Sequence, residues 1–251
     1  MRHSWQDDDL NRRYSDQIWA PVCSEQKSKS HVPVFALSRM NKIVAMPSSF
    51  SIQALPRTSH GDENVEYALR LKKLRLKTLQ EDPGSWVSLY KDEVDQPQDF
   101  WVSRLNDPRA IHLVIVRLDS SKDNVEASTT VLSQGDWVGL VVIILPEFTP
   151  EDNVDQKEQT SSEFLMAAVS VHSEYRGHGL GGRLVQKAIE TSRAFATGRN
   201  MTSPCLIARV RPGNDLALKL YQKLGFRIIQ PEDHGEKGGI PYTTTVVRVN
   251  L

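Results

Sequence analysis

The chain has 251 residues, of which 39% are hydrophobic, and its 31 basic side chains balance 31 acidic ones. This length and apolar content suffice for a globular core, either in one domain with an extension or in two small domains. A net charge of zero leaves no electrostatic footprint for nucleic acid or for an anionic membrane, so we expect neither as a partner.

Two cysteines, Cys23 and Cys205, lie far apart and have no neighbours at metal-ligand spacing, so we expect neither a disulfide framework nor a metal site. No apolar run approaches the roughly 18 residues that a membrane-spanning helix needs, and the N-terminus carries acidic residues where a leader peptide would be apolar. These features predict a soluble protein of the cytoplasm, with the nucleus as the alternative.

The first part of the chain is polar and shows no helical or strand period, which predicts a partly disordered or loosely docked extension over 1–47. The folded domain is predicted over 48–251. Polar and apolar residues alternate over 49–55, which indicates a half-buried first strand. Apolar residues then recur at helical spacing over 65–79, which predicts an amphipathic helix that ends before Pro83 and turns its basic residues to solvent.

The middle of the chain alternates strands with polar spacers. A second helix is predicted over 99–105, just before a proline that would end it. Two runs rich in β-branched residues, 111–116 and 137–144, predict sheet strands. The polar spacers 119–135 and 146–162 are interpreted as surface loops.

Strands and helices follow one another closely in the last third of the chain. Residues 164–171 predict a strand, which a glycine-rich turn over 176–182 joins to a helix that ends near Gly198. The remaining elements are predicted as a strand over 206–210, a helix over 214–224 and two strands over 226–229 and 242–249.

Four glycines stand in this turn between two arginines: Arg176, Gly177, Gly179, Gly181, Gly182 and Arg183. Glycines let backbone N–H groups approach an anion, and a helix N-terminus adds partial positive charge, so the arrangement predicts a phosphate-binding turn. The alternative is a tight turn whose glycines serve the backbone shape alone. The spacing also fits G-x-G-x-x-G, but the acid that a dinucleotide site needs about 20 positions on is missing between Thr191 and Asn214.

Residues 169–181 resemble the acetyl-CoA-binding motif of the GNAT superfamily of N-acetyltransferases. Its pattern, Q/R-x-x-G-x-G/A, is met by Arg176, Gly179 and Gly181. Residues 214–226 are similar to the second motif of the family, N-x-x-A-x-x-L-Y-x-x-x-G-F, and residues 69–83 to its first helix. The resemblance extends from about residue 48 to the C-terminus.

The resemblance implies an α/β (α+β) fold, the GNAT fold, with a central mixed, mostly antiparallel sheet flanked by helices. It implies transfer of the acetyl group from the cosubstrate acetyl-CoA directly to an amine, without a covalent enzyme intermediate. In the family, a strand edge, the glycine turn and the last helix hold the cofactor. The matching residues are Val169, Ser170, Val171, Arg176, Gly177, His178, Gly179, Leu180, Gly181, Gly182, Asn214 and Tyr221.

Tyr221 matches the position where the family often has a general acid for the departing thiolate. A phenol suits this role because its pKa, about 10, lies close to that of an alkyl thiol. The alternative for Tyr221 is packing against Phe226. For the base that deprotonates the amine, Glu163 is a candidate at the start of the strand, although the glutamate of the best-known family members aligns nearer Leu165; a water chain is the alternative.

The segment 231–239, between the last two strands, carries three acids that would attract a cationic amine, or it is a polar hairpin without this role. The spacer 146–162 is a second candidate wall for the acceptor site. We expect a small-molecule primary amine as acceptor. The alternatives are a protein acetyltransferase acting on a lysine or an N-terminal amine, and a CoA-binding module without catalysis. The oligomeric state is expected to be a monomer or homodimer.

Overall fold

The computed structural model describes residues 50–57, 62–118, 128–146 and 162–251. Predictions for the extension 1–47 and for most of the spacer 146–162 therefore lie outside the described residues. None of the helices in the described ranges is long and apolar enough to cross a membrane. Within the same ranges, no cluster of histidine, cysteine and acidic side chains is arranged to hold a metal ion.

The described residues form seven strands in one sheet. The strands are β1 (Phe50–Ala54), β2 (Ala110–Arg117), β3 (Asp136–Ile144), β4 (Glu163–Val171), β5 (Cys205–Val210), β6 (Arg227–Lys237) and β7 (Ile240–Asn250). Their order across the sheet is β1-β2-β3-β4-β5-β7-β6. β4 and β5 run parallel, whereas β1–β2, β2–β3, β3–β4 and β5–β7 are antiparallel pairs, which confirms the predicted mixed, mostly antiparallel sheet.

Helices flank this sheet. They are α1 (Asp62–Glu81), α2 (Tyr90–Glu93), α3 (Gln98–Asn106), α4 (Ser128–Gln134), α5 (Leu180–Gly198) and α6 (Asp215–Lys223), with short 3₁₀ turns at Pro83–Ser85 and Ser173–Tyr175. The apolar stripe of α5 is buried against strand side chains such as Phe164, Leu206 and Val247. Helix α1 packs on α3 and on β3.

Two units are distinguished by the contacts within the chain: Met46–Asp233 with Thr243–Leu251, and Met1–Ala45 with His234–Tyr242. The described part of the second unit is the tip of the β6–β7 hairpin. There, Gly235 lies against the ring of Tyr242, with no room for a Cβ atom. The domain boundary at residue 47 stays a prediction.

Two sequence-based expectations about secondary structure were wrong. The spacer 119–135 was expected to be a loop, but its last part forms α4. The guanidinium of Arg70, on α1, donates to the carbonyl oxygens of Leu132 and Gly135, at 3.0 and 2.9 Å, and also to that of Ser133. These bonds satisfy the free carbonyls at the end of α4, so a weak helical sequence is stabilised from a distant element.

The second error concerns the acidic segment 231–239, which was expected to be a loop between short strands. β6 instead continues to Lys237, and the turn is reduced to Gly238 and Gly239, whose φ angles are 57° and 77°. Positive φ at both central residues is what a tight hairpin turn requires, and glycine adopts it without strain. Asp233 is consequently a buried strand residue.

Candidate functional site

The central feature of the site is a gap between β4 and β5. The two strands pair from Glu163–Cys205 to Met166–Ala208, and no further pair forms although both strands continue. On its other edge β4 stays paired with β3, with a register shift and a positive φ of 55° at Ala168 that mark a β-bulge. Beyond Met166, the edge of β4 that faces β5 is therefore open to an extended ligand. We call this region the β4–β5 gap.

The glycine turn follows directly at the end of β4. Gly177 and Gly179 have φ angles of 82° and 74°, and a Cβ atom built on either would meet nothing within 4 Å. Gly179 is also the N-cap of α5, which has 19 residues and no acidic side chain in its first turn. Open backbone amides at the positive end of a long helix form a site for an anion.

Gly181 and Gly182 also lie next to α6. A Cβ atom on either would lie 3.7 or 3.6 Å from the side chain of Leu220 on α6. These two glycines therefore mark where the first turn of α5 packs closely on α6. The four glycines divide into two that shape an open turn and two that lie at a helix contact.

The end of α1 fixes the glycine turn in place. Arg176 donates through Nε to the carbonyl oxygen of Val171, at 2.9 Å, and through Nη2 to Asp82 Oδ2, at 2.6 Å. Glu81 accepts hydrogen bonds from the amide and the hydroxyl of Ser173, both at 3.2 Å. Arg176, predicted to bind the cofactor, thus also joins α1 to the turn.

Two histidines flank the turn. His172 is buried, with its Nε2 atom 3.5 Å from Glu81 Oε1. His178 is exposed, and its Nδ1 atom lies 2.9 Å from the carbonyl oxygen of Arg176. Only His178 presents its ring at the surface of the turn.

Asn214 lies at the N-terminus of α6. Its Oδ1 atom accepts from the amide of Ala217 at 3.2 Å, so it is the N-cap of that helix, and its Nδ2 atom donates to Ser85 Oγ at 3.3 Å. Ser85 belongs to the 3₁₀ turn after α1. One Nδ2 hydrogen remains for a further acceptor.

Tyr221 is buried on α6, and its ring centroid lies 5.4 Å from that of Phe226. The packing alternative considered for Tyr221 is thus present in the structure. Its hydroxyl has no hydrogen-bond partner among the described residues. Burial raises the pKa of this hydroxyl, so the group stays protonated at neutral pH, as a proton donor must.

Glu163 lies at the closed end of the strand pair, opposite Cys205. It lies three positions before Met166, about 10 Å along the strand. It is half-buried; desolvation raises the pKa of its carboxyl, and the charges of Arg209 and Arg248 oppose that shift. A raised pKa suits a base. The distance from the gap would require a water chain between Glu163 and the amine, so Glu163 and a water chain are both candidates for the base.

Sequence reasoning missed Glu81, Asp82 and Ser85 as neighbours of the site. They follow one another closely before and after Pro83, and their partners lie about a hundred positions later in the chain. No local pattern connects segments so far apart. The acidic pair directly before the helix-ending proline was the one available signal.

The comparison with family models gives a match to the acetyltransferase (GNAT) family over residues 85–226. This match covers more than half of the chain, from the turn after α1 to the end of α6. The chain belongs to the acetyltransferase (GNAT) family. It is accordingly an acyltransferase with acetyl-CoA as its cosubstrate.

Solved structures share the fold. An acetyltransferase of the GNAT family from Streptococcus pneumoniae superposes with a TM-score of 0.53 and 18% identity, covering 80% of this chain and 99% of that one. Spermidine N-acetyltransferase from Vibrio cholerae gives 0.52 and 15%, with coverage of 81% and 96%. Ribosomal-protein-S5-alanine acetyltransferase from Vibrio fischeri gives 0.54 and 13%, with coverage of 82% and 95%. Comparison with curated protein sequences finds no match.

Proposed function

We propose that this enzyme transfers the acetyl group of acetyl-CoA directly to a primary amine of a small molecule. The observation that carries the proposal is the β4–β5 gap, which opens beside the glycine turn. An open strand edge that leads to unobstructed amides at a helix N-terminus fits a ligand with an extended arm and a pyrophosphate.

Each part of that ligand has a matching group in the chain. The amides of 177–182 would hold the pyrophosphate, because among the described residues no side chain covers Gly177 or Gly179. The main chain of Val169 to Val171 would pair with the pantetheine arm as an added strand does. The free Nδ2 hydrogen of Asn214 points to the same role, since Oδ1 is engaged in capping α6.

Acetyl-CoA supplies an activated thioester carbonyl. Nitrogen forms a bond to that carbon while the bond between carbon and sulfur breaks, so the amine loses one proton and the thiolate gains one. Tyr221 would donate the proton to sulfur, and Glu163, through water, would accept the proton from nitrogen. Burial raises the pKa of the Tyr221 hydroxyl and keeps it protonated, and the raised pKa of the Glu163 carboxyl makes that group a stronger base when it is ionised.

Calorimetry with acetyl-CoA and a thiol-release assay test the proposal together. The amine panel contains polyamines, arylalkylamines, aminoglycosides, amino acids and histone-tail peptides. We expect saturable acetyl-CoA binding and release of CoA that depends on a small amine. Absence of binding at micromolar protein would refute the function altogether. Release with peptides alone would indicate a protein acetyltransferase, and binding without release a module that only holds CoA.

A further inference from the structure

Arg209 stands at the mouth of the β4–β5 gap. It is the first residue of β5 beyond the last pair with β4, Met166 with Ala208. Side chains alternate along a strand, and Ala208 and Val210 belong to the core cluster that also contains the α5 side chains. The Arg209 side chain therefore projects from the face that α5 does not cover.

A buried carboxylate holds the Arg209 guanidinium. Its Nε atom donates to Asp233 Oδ2 at 3.0 Å, and the Asp233 side chain is 8% exposed. The hydroxyl of Thr244, itself buried, donates to the same oxygen at 3.4 Å. Because Asp233 is fixed by burial and by Thr244, it sets the plane in which the guanidinium lies.

Only one of the three guanidinium nitrogens is used in this contact. Within the part of the chain that the structure describes, the bond from Nε to Asp233 is the hydrogen bond that Arg209 makes, and its side chain is 28% exposed. The two Nη groups carry four further N–H donors. A partly desolvated cation thus presents its donors outward at the entrance of the gap.

A purely structural pair in this protein has a different geometry. Arg75 binds Glu93 with Nε and Nη2 together, at 3.1 and 2.9 Å, and both side chains are buried. Such two-point pairing uses two adjacent N–H donors of the guanidinium for the internal carboxylate. Arg209 pairs with Asp233 through Nε alone, so within the described residues its Nη donors can bind an external anion.

We propose that Arg209 binds an anionic group, a carboxylate or a phosphate, on the amine acceptor. The acceptor is then an amino acid or another amine that carries a negative charge. This assignment rests on the proposed function, since it presumes that the acceptor amine enters the gap. Two interactions near Arg209 agree with this assignment: the charges of Arg209 and Arg248 both act on Glu163, and Asp233 pairs with Arg209.

The test compares acceptors of matched length in the thiol-release assay. The probes are β-alanine, 4-aminobutanoate and 2-aminoethyl phosphate, against β-alaninamide, 1,3-diaminopropane and 1,4-diaminobutane. We expect wild type to favour the anionic amines at least tenfold in kcat/KM. Arg209→Gln should lower kcat/KM for them by about 10- to 100-fold, the loss expected for a charged hydrogen bond, and should lower it much less for the diamines, for which only the loss of a charge beside Glu163 counts.

Three further variants separate recognition from folding. Arg209→Lys keeps the charge and should restore part of the preference. The double variant Arg209→Gln with Asp233→Asn leaves no unpaired buried carboxylate, so it should fold like wild type and still lack the preference. Arg227→Gln, an exposed arginine at the start of β6, is the matched control and should change nothing. The relative rates with carboxylates and with the phosphate identify the anion.

A wild-type enzyme that prefers diamines would overturn the proposal. Two results with Arg209→Gln would also overturn it: an equal loss of kcat/KM for all acceptors, or a raised KM for acetyl-CoA. Calorimetry with acetyl-CoA separates the two proposals. Intact acetyl-CoA binding with a preference for diamines would overturn the role of Arg209 and leave acetyl transfer standing. Absence of acetyl-CoA binding would overturn acetyl transfer and, with it, the acceptor assignment.

Discussion

Arg176 and Asp82, 94 positions apart in the chain, form an ion pair in which Nη2 and Oδ2 lie 2.6 Å apart. The same guanidinium donates to the carbonyl oxygen of Val171, so one side chain joins the end of α1, the end of β4 and the glycine turn. The shape of the turn therefore depends on a helix far away in the sequence.

Replacing Asp82 by asparagine should weaken this connection. We expect KM for acetyl-CoA to rise several-fold with kcat nearly unchanged, because in the proposed function the turn would position the cofactor and would take no part in proton transfer. The free energy of unfolding should change by less than about 1 kcal/mol, since both side chains are partly exposed and such pairs contribute little. Steady-state kinetics and urea unfolding measure the two effects.

Glu66→Gln is the matched control for Asp82→Asn. Glu66 forms an ion pair with Arg70 on the same helix and makes no contact with the turn in the described residues. Its KM should equal that of wild type. An unchanged KM in Asp82→Asn would show that the turn keeps its shape without α1.

Tyr221→Phe should lower kcat by about 10- to 100-fold, because the variant lacks the hydroxyl proposed to donate a proton to the thiolate. Acetyl-CoA affinity should stay close to wild type. The ring still packs on Phe226, so stability should change by less than about 1 kcal/mol. Tyr67→Phe, at another buried tyrosine whose pKa is raised by desolvation, is the control. Equal kcat values in wild type and Tyr221→Phe would leave Tyr221 with a packing role alone.

The fold around the glycine turn could be predicted from the sequence because its signals are local. The apolar run of β4, the glycines of the turn and the helical spacing of apolar residues in α5 each act on their own segment. The strand, turn and helix that these signals predicted are those of the structure. Local preference and tertiary environment agree in this part of the chain.

Long-range charge pairing could not be predicted in the same way. The basic residues of α1 were expected to face solvent, yet Arg75 is buried against Glu93 and Arg70 binds the end of α4. The partners of Arg70 and Arg75 lie in other segments of the chain, and the helical periodicity of α1 carries no information about those segments. Asp233 was expected between the last two strands and is instead a buried residue of β6 that holds Arg209. The Gly238-Gly239 pair was the available signal for the longer hairpin.

Gly179→Ala should weaken acetyl-CoA binding at least tenfold. A Cβ atom there projects into the open side of the turn, and alanine at a φ of 74° is strained by about 1 kcal/mol. Gly198→Ala is the matched control: it also has open space around a Cβ atom, but it ends α5 without a positive φ. Calorimetry should show that Gly198→Ala binds acetyl-CoA with the affinity of wild type. Equal affinities in both variants would contradict the role assigned to the turn.

Arg70→Met should destabilise the fold by about 2 kcal/mol, because the carbonyl groups at the end of α4 lose a charged donor. Lys73→Met, an exposed residue on the same helix, is the control and should lie within about 0.5 kcal/mol of wild type. Urea unfolding measures both. Similar stability losses in the two variants would show that α4 does not depend on Arg70.

His112 should make the stability depend on pH. Its ring is buried in β2, where desolvation first, and the charge of Arg104 next, lower its pKa to about 3. The folded protein therefore keeps the ring neutral, whereas the unfolded chain binds a proton below a pKa of about 6.5. The unfolded state gains protons as the pH falls, so stability is complete above about pH 6.5 and decreases toward pH 3.

His112→Leu removes this dependence. Wild type should lose about 2 kcal/mol more than the variant between pH 7 and pH 5, at a slope that approaches about 1.4 kcal/mol per pH unit. Urea unfolding at pH 5, 6, 7 and 8 measures the difference. The range between pH 7 and 8 is the control. There the His112 ring of wild type is neutral in the folded and the unfolded protein, so the unfolding free energies of wild type and variant should change with pH at the same slope. Parallel curves down to pH 5 would show that the folded protein also accepts the proton on His112.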